Sequence, residues 1–178
     1  GDEAGTALTT GDQNVFIGYK AGEDLTTGTD NTFVGNEAGK NTTDRNHNTA
    51  IGNEALFTNV NGAKNTALGS GALLTMNPAT DVDTFNVAVG YDAGNAITTG
   101  VNNTLIGGAS GDALTEGAQN VALGVAALTS DTLGSKSVAI GNFALEVQNF
   151  TTATDALNVA VGHQAGDSVT TGIQNTLI

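Results

Sequence analysis

Few side chains in this 178-residue chain could do chemistry, and their spacing sets none of them to work together. His47 and His163 are its two histidines, and there is no cysteine to join them as metal ligands. Neither stands at a zinc-site spacing or beside a carboxylate placed to make it a general base. Asp81-Val82-Asp83 offers two oxygen donors for Ca²⁺, but the rest of an EF-hand loop or a nonapeptide repeat is missing. Gly107-Gly108-Ala109-Ser110-Gly111 shares only glycine content with a phosphate loop, and both Gly107 and Gly111 recur at a fixed period. Asn41, Asn102 and Asn149 open N-x-Thr sequons, which carry little information in a chain this rich in Asn and Thr. The expectation is a chain with no catalytic residues, no cofactor and no metal.

The elements that carry these residues are copies of one short motif, Asn48-Thr49-Ala50-Ile51-Gly52-Asn53-Glu54-Ala55-Leu56. Its opening positions are Asn14, Asn31, Asn48, Asn65, Asn86, Asn103, Asn120, Ser137, Asn158 and Asn175, with successive spacings of 17, 17, 17, 21, 17, 17, 17, 21 and 17. A fixed period of this size is the signature of a solenoid. Copies 72 residues apart match best, as Asn14, Asn86 and Asn158 do, so the unit of duplication is four coils with the fourth longer by four residues. Within it, the residue after the repeat's Ala or Ser beats as Gly22, Gly39, Leu56, Leu73, then Gly94, Gly111, Leu128, Leu145.

The three residues after each Asn read as a strand. The first is Val or Thr and the third is always aliphatic, from Ile17 to Ile178. The middle residues are Phe16, Phe33, Ala50, Ala67, Ala88, Leu105, Ala122, Ala139, Ala160 and Leu177, none of them polar. A strand apolar on both faces is buried on both. One thin coil can fill only one face, so the other requires further copies of the chain, and the middle column holding Ala50 is expected to face them. The column Gly18, Gly35, Gly52, Gly69, Gly90, Gly107, Gly124, Gly141 and Gly162 ends the strands and suggests positive φ or close backbone approach. The Asn column tolerates left-handed geometry and can bond amide to amide between coils. A second strand is expected at Leu25-Thr26-Thr27, Ile97-Thr98-Thr99 and Val169-Thr170-Thr171, and Phe85 and Leu157 are expected to tuck inwards.

Composition excludes several classes. Five Lys plus Arg against 18 Asp plus Glu give a formal net charge of −13, which disfavours nucleic acid and anionic membranes. No apolar run is long enough to span a bilayer, so no membrane insertion is expected. Both ends fall inside the motif, so residues 1–178 are expected to form one repeat array of about ten coils cut from a longer chain.

NTAIGNEAL, NTALGSGAL and SVAIGNFAL resemble the head repeat of YadA-type trimeric autotransporter adhesins, and equally the repeats of bacteriophage tail fibres. The resemblance covers the whole chain, although the adhesin-head repeat is shorter than 17 residues. It implies an all-β solenoid, a left-handed parallel β-roll, assembled as a homotrimer in an extracellular fibre on a bacterial surface or phage virion. The expected role is a stiff shaft presenting a binding tip. The alternatives are an adhesin head that binds a cell-surface receptor or glycan through its own surface and, more remotely, an ice-binding β-helix. The 21-residue coils are the places for recognition loops, with Asn77, Pro78, Asp81, Asp83, Asn149 and Phe150 as contact residues.

Overall fold

The computed structural model describes residues 1–178 and contains no helix. Its strands are β1 (Val15–Ile17), β2 (Thr32–Val34), β3 (Thr49–Ile51), β4 (Gly62–Ala63), β5 (Thr66–Leu68), β6 (Val82–Asp83) and β7 (Val87–Val89). They continue as β8 (Thr104–Ile106), β9 (Val121–Leu123), β10 (Gly134–Ser135), β11 (Val138–Ile140), β12 (Thr154–Asp155), β13 (Val159–Val161) and β14 (Thr176–Leu177). Every motif copy gives one strand of a single ten-stranded sheet, β1-β2-β3-β5-β7-β8-β9-β11-β13-β14. All its neighbours are parallel and in register, so that Thr49 pairs with Thr66 and Ala50 with Ala67. The chain is a β-solenoid of stacked coils.

The middle column lies inside the coil. Phe33, Ala50, Ala67, Ala88, Leu105, Ala122, Ala139 and Ala160 are fully buried within a single chain. This reverses the expected facing: the Ala50 column fills the core, and its flanking columns, not itself, point to solvent. The cause is parity. The Asn that opens each copy and the residue two further on share a face, and Asn31, Asn48, Asn86, Asn103 and Asn158 are all fully buried.

Inside, the Asn column braces the stack. The Asn48 amide nitrogen donates to the Gly62 carbonyl at 3.2 Å, across its own coil, while its Oδ1 accepts the Asn65 backbone N–H at 3.0 Å and the Asn65 side-chain amide at 3.2 Å. The same bonds recur at Asn86, whose nitrogen reaches Gly100 at 2.8 Å and whose Oδ1 accepts from Asn103 at 2.9 Å. The expected coil-to-coil amide bonding is present. The left-handed residue, however, is the one before the Asn, as at His47 (φ 60) and Lys64 (φ 62). At the far end of the strand Gly52 has φ 141, and a Cβ there would come within 2.5 Å of the Gly69 carbonyl oxygen. Close approach and positive φ both demand glycine.

The Gly-Gly-Leu-Leu beat is a volume rule. Leu56, Leu73, Leu128 and Leu145 are fully buried, each in a coil whose middle residue is Ala. Where the middle residue is large, the beat residue is Gly: a Cβ on Gly39 would lie 2.6 Å from the Phe33 ring, and one on Gly111 would lie 2.9 Å from Leu105. The coil of Ala88 and Gly94 is filled from its neighbour, since Leu105 stands 2.8 Å from the place of a Gly94 Cβ. A thin core at close-packed density leaves no other arrangement.

Two expectations fail here. Residues 25–27, 97–99 and 169–171 form bends instead of strands, because several amides converge on one carbonyl: Thr98, Thr99 and Gly100 donate to Thr115 O at 2.9, 3.3 and 3.2 Å. The second-side strands are instead the two-residue pairs β4–β6 and β10–β12, at the longer coils. Phe85 and Leu157 also do not tuck inwards, being 49% and 43% exposed. Each precedes a motif Asn and shares the left-handed conformation of that column, φ 50 and φ 54, which turns the side chain out.

Candidate functional site: the outward strand face

Alternation along a strand sends the first and third motif residues to the same face. With the middle residue inside, that face is outward, and the third column is a continuous row of Ile, Val and Leu from Ile17 to Ile178. Ile17 is 58% exposed, while Leu68, Ile106, Leu123 and Val161 are also open to solvent and Ile51 and Ile140 are half-buried. Beside it runs the first column of Val and Thr, and beyond the glycine corner a third outward column holds Tyr19, Asn36, Asn53, Ser70, Tyr91, Gly108, Val125, Asn142 and His163. Apart from Asp2 at the N-terminal end of the third, these columns contain no Asp, Glu, Lys or Arg, in a chain of net charge −13.

Nearly all the charges sit elsewhere, and all five Lys and Arg are paired with carboxylates of the chain. Lys20 lies 3.2 Å from both Glu3 and Glu23, whose carboxylates hold its ammonium above the usual lysine range. The Glu37 carboxylate, 3.0 Å away, does the same for Lys40. The Arg45 guanidinium, 2.8 Å from Asp44, holds that carboxyl below its ordinary value. The Asp92 carboxylate raises the neighbouring Tyr91 phenol above the usual tyrosine range.

The residues singled out for chemistry are not brought together. His47 is exposed, its Nδ1 3.6 Å from the Asp30 carboxylate. His163 is exposed and meets the Phe143 ring edge-on at 6.0 Å. Ser110 is buried in the Ala column with no hydrogen-bond partner for its hydroxyl, and Gly107 is a corner residue of the stack. Asp81 accepts from Arg45 at 3.1 Å and Asp83 from Lys64 at 2.6 Å, so both carboxylates tie the long loop to the coils below. Their partners are cations of the chain itself.

Of the expected recognition residues, Asp81, Asp83 and Asn149 are exposed, and Asn77 is half-buried with its Oδ1 accepting the Val60 N–H at 3.1 Å. Pro78 and Phe150 are buried and cannot touch a receptor. The longer loop folds its bulky residue against the coil beneath, leaving threonines and alanine at the tip. The exposed aromatics are instead Tyr19 and Tyr91, which sequence reasoning passed over, and Phe85, which it placed inside. Their signal was available: they flank strands in columns from which charge is absent or sparse. A scan against protein-family models matched none, and searches of curated proteins and of solved structures returned no match.

Proposed function

We propose that this chain is a shaft segment of a homotrimeric extracellular or virion fibre, related in kind to the YadA-type and tail-fibre repeats that its motif resembles. The observation that supports this reading is the charge-free aliphatic row on the outward strand face. Monomeric proteins seldom leave a contiguous apolar stripe along their whole length. Covering ten partly exposed aliphatic side chains at about 1 kcal/mol each contributes on the order of 10 kcal/mol per chain. Parallel copies packed by this face leave the charged corners and long loops outward, where they keep the fibre soluble. Stiffness comes from the in-register ladder and the buried Asn braces, which tie each coil to the next.

The reading in which the roll surface itself binds a receptor or glycan draws less support, because two of its six contact residues, Pro78 and Phe150, are buried. An ice-binding surface would need a regular threonine array, whereas the outward first column alternates irregularly between Thr and Val, as at Thr66, Val87, Thr104 and Val121.

Light scattering on a sizing column tests the proposal. The expected mass is three times 17.7 kDa. Ile51→Glu should reduce it to that of one chain while the β-sheet circular dichroism persists. A wild-type chain that stays monomeric at tens of micromolar would overturn the fibre reading.

A further inference from the structure

Phe85 and Tyr91 stand at opposite ends of one strand, two residues before and two residues after β7. Tyr91 is 67% exposed. Phe85 holds a left-handed backbone (φ 50) that bulky residues disfavour, and its ring gains only the Lys64 ammonium, 5.1 Å from the centroid. The fold demands that conformation at this position in every coil, but it does not demand a phenylalanine. Within one chain the exposed ring has no explanation.

We infer that Tyr91 of one copy packs against Phe85 of the next, closing a ring of aromatic clasps around the assembly and fixing its axial register. This rests on the proposed self-association through the outward strand face. Rotation about an axis along the stack preserves the sense in which strands run around the ring, so the C-terminal strand ends of one sheet face the N-terminal ends of its neighbour. With no axial slip, residues flanking the same strand meet, and at β7 these are the tyrosine and the phenylalanine. No other coil pairs two aromatic carbocycles in this way: Ser70 meets Lys64, Tyr19 meets Gln13, Val125 meets Gln119 and His163 meets Leu157. From Tyr19 to His163 the C-terminal rim column is free of charge, so no like charges oppose one another there in this register.

The clasp supplies what the aliphatic row lacks. A row with one aliphatic per coil looks the same after a slip of one coil and cannot specify register by itself. Slipped by one coil, Phe85 would meet Ser70 and Tyr91 would meet Asn102, and the aromatic pair would be lost. An interfacial aromatic pair prefers centroids about 4.5–7 Å apart and discriminates against such a slip.

The chain has no cysteine, so disulfide trapping is clean. The pair Phe85→Cys/Tyr91→Cys, oxidised in the assembled state, should link chains into covalent closed oligomers on non-reducing gels. The slipped pair Ser70→Cys/Phe85→Cys should do so several-fold less efficiently. As a second readout that keeps Phe85 and Tyr91, Tyr19→Phe leaves Tyr91 as the sole tyrosine in a chain without tryptophan. Its emission should be several-fold less quenched by acrylamide in the assembly than in dilute monomer. A multimeric mass with no such trapping, or with the slipped pair favoured, or with Tyr91 quenched like a free tyrosine, would overturn the clasp and leave the fibre proposal standing. A monomeric mass for the unmodified chain would overturn both.

Discussion

The two four-coil units, residues 14–85 and 86–157, solve one problem in two ways at their longer coils. In the first, Asn59 turns on its own loop, its amide donating to Gly62 O at 2.7 Å and its Oδ1 accepting Gly62 N at 2.9 Å. Met76 is fully buried with its sulfur 3.7 Å from the Asn86 amide, and Asn65 continues the amide ladder with Thr84 donating to its Oδ1 at 2.7 Å. In the second unit all four residues differ: Asp131, Gln148, Ser137 and Ala156 stand where Asn59, Met76, Asn65 and Thr84 stood. Asp131 is fully buried, accepting from Gly134 N at 3.0 Å, Phe150 N at 3.1 Å and the Gln148 amide at 2.6 Å. Gln148 also donates to Ser137 Oγ at 3.1 Å and accepts the Asn158 amide at 2.7 Å. The ladder loses its amide at Ser137, and a glutamine from the far side of the coil supplies one. What the fold requires at this layer is a satisfied set of buried donors and acceptors, not a particular residue.

That contrast predicts unequal costs for equivalent changes. Gln148→Met, which copies the first unit at one position, should destabilise by about 3–5 kcal/mol, since it strips Asp131 of a donor and leaves Ser137 unpaired in the core. The reciprocal Met76→Gln should cost less, about 1–2 kcal/mol, because the Asn86 amide is there to receive the new oxygen. Denaturant midpoints with unchanged slopes would read both. Equal costs would break the comparison. Installing Asp131→Asn, Ser137→Asn, Gln148→Met and Ala156→Thr together should return stability to within about 1 kcal/mol of the parent, a strongly non-additive result. Where the units agree, effects should agree. Lys64 meets Asp83 at 2.6 Å and Lys136 meets Asp155 at 2.6 Å, both exposed. Lys64→Ala and Lys136→Ala should each cost under about 1 kcal/mol and fade together as salt is raised.

The period, the glycine corners and the positions of the motif strands were readable because each coil repeats the same local demand, whereas the second-side strands were not. The direction of the strand face was misread, because Thr49, whose hydroxyl marks the outside, was read with Ile51 as a β-branched residue of an apolar strand. The buried Asn48, two residues before Ala50, held the missing parity, but an asparagine in sequence looks like a turn residue. The meaning of the Gly-Leu beat needed that parity too: Leu56 fits only once Ala50 is known to point inwards. The Asp131–Gln148 network was beyond reach, because its members lie 17, 11 and 10 residues apart and only the stack brings them together.

The most direct test of the assembly is thiol protection at two adjacent positions in a chain that has no cysteine. In Ala50→Cys the thiol should stay unreactive in every folded state, because that column is core. In Ile51→Cys the thiol should react readily at high dilution and become protected as concentration rises through the assembly transition. A position-51 thiol that stays equally reactive at all concentrations would contradict the claim that further copies of this chain cover the outward strand face.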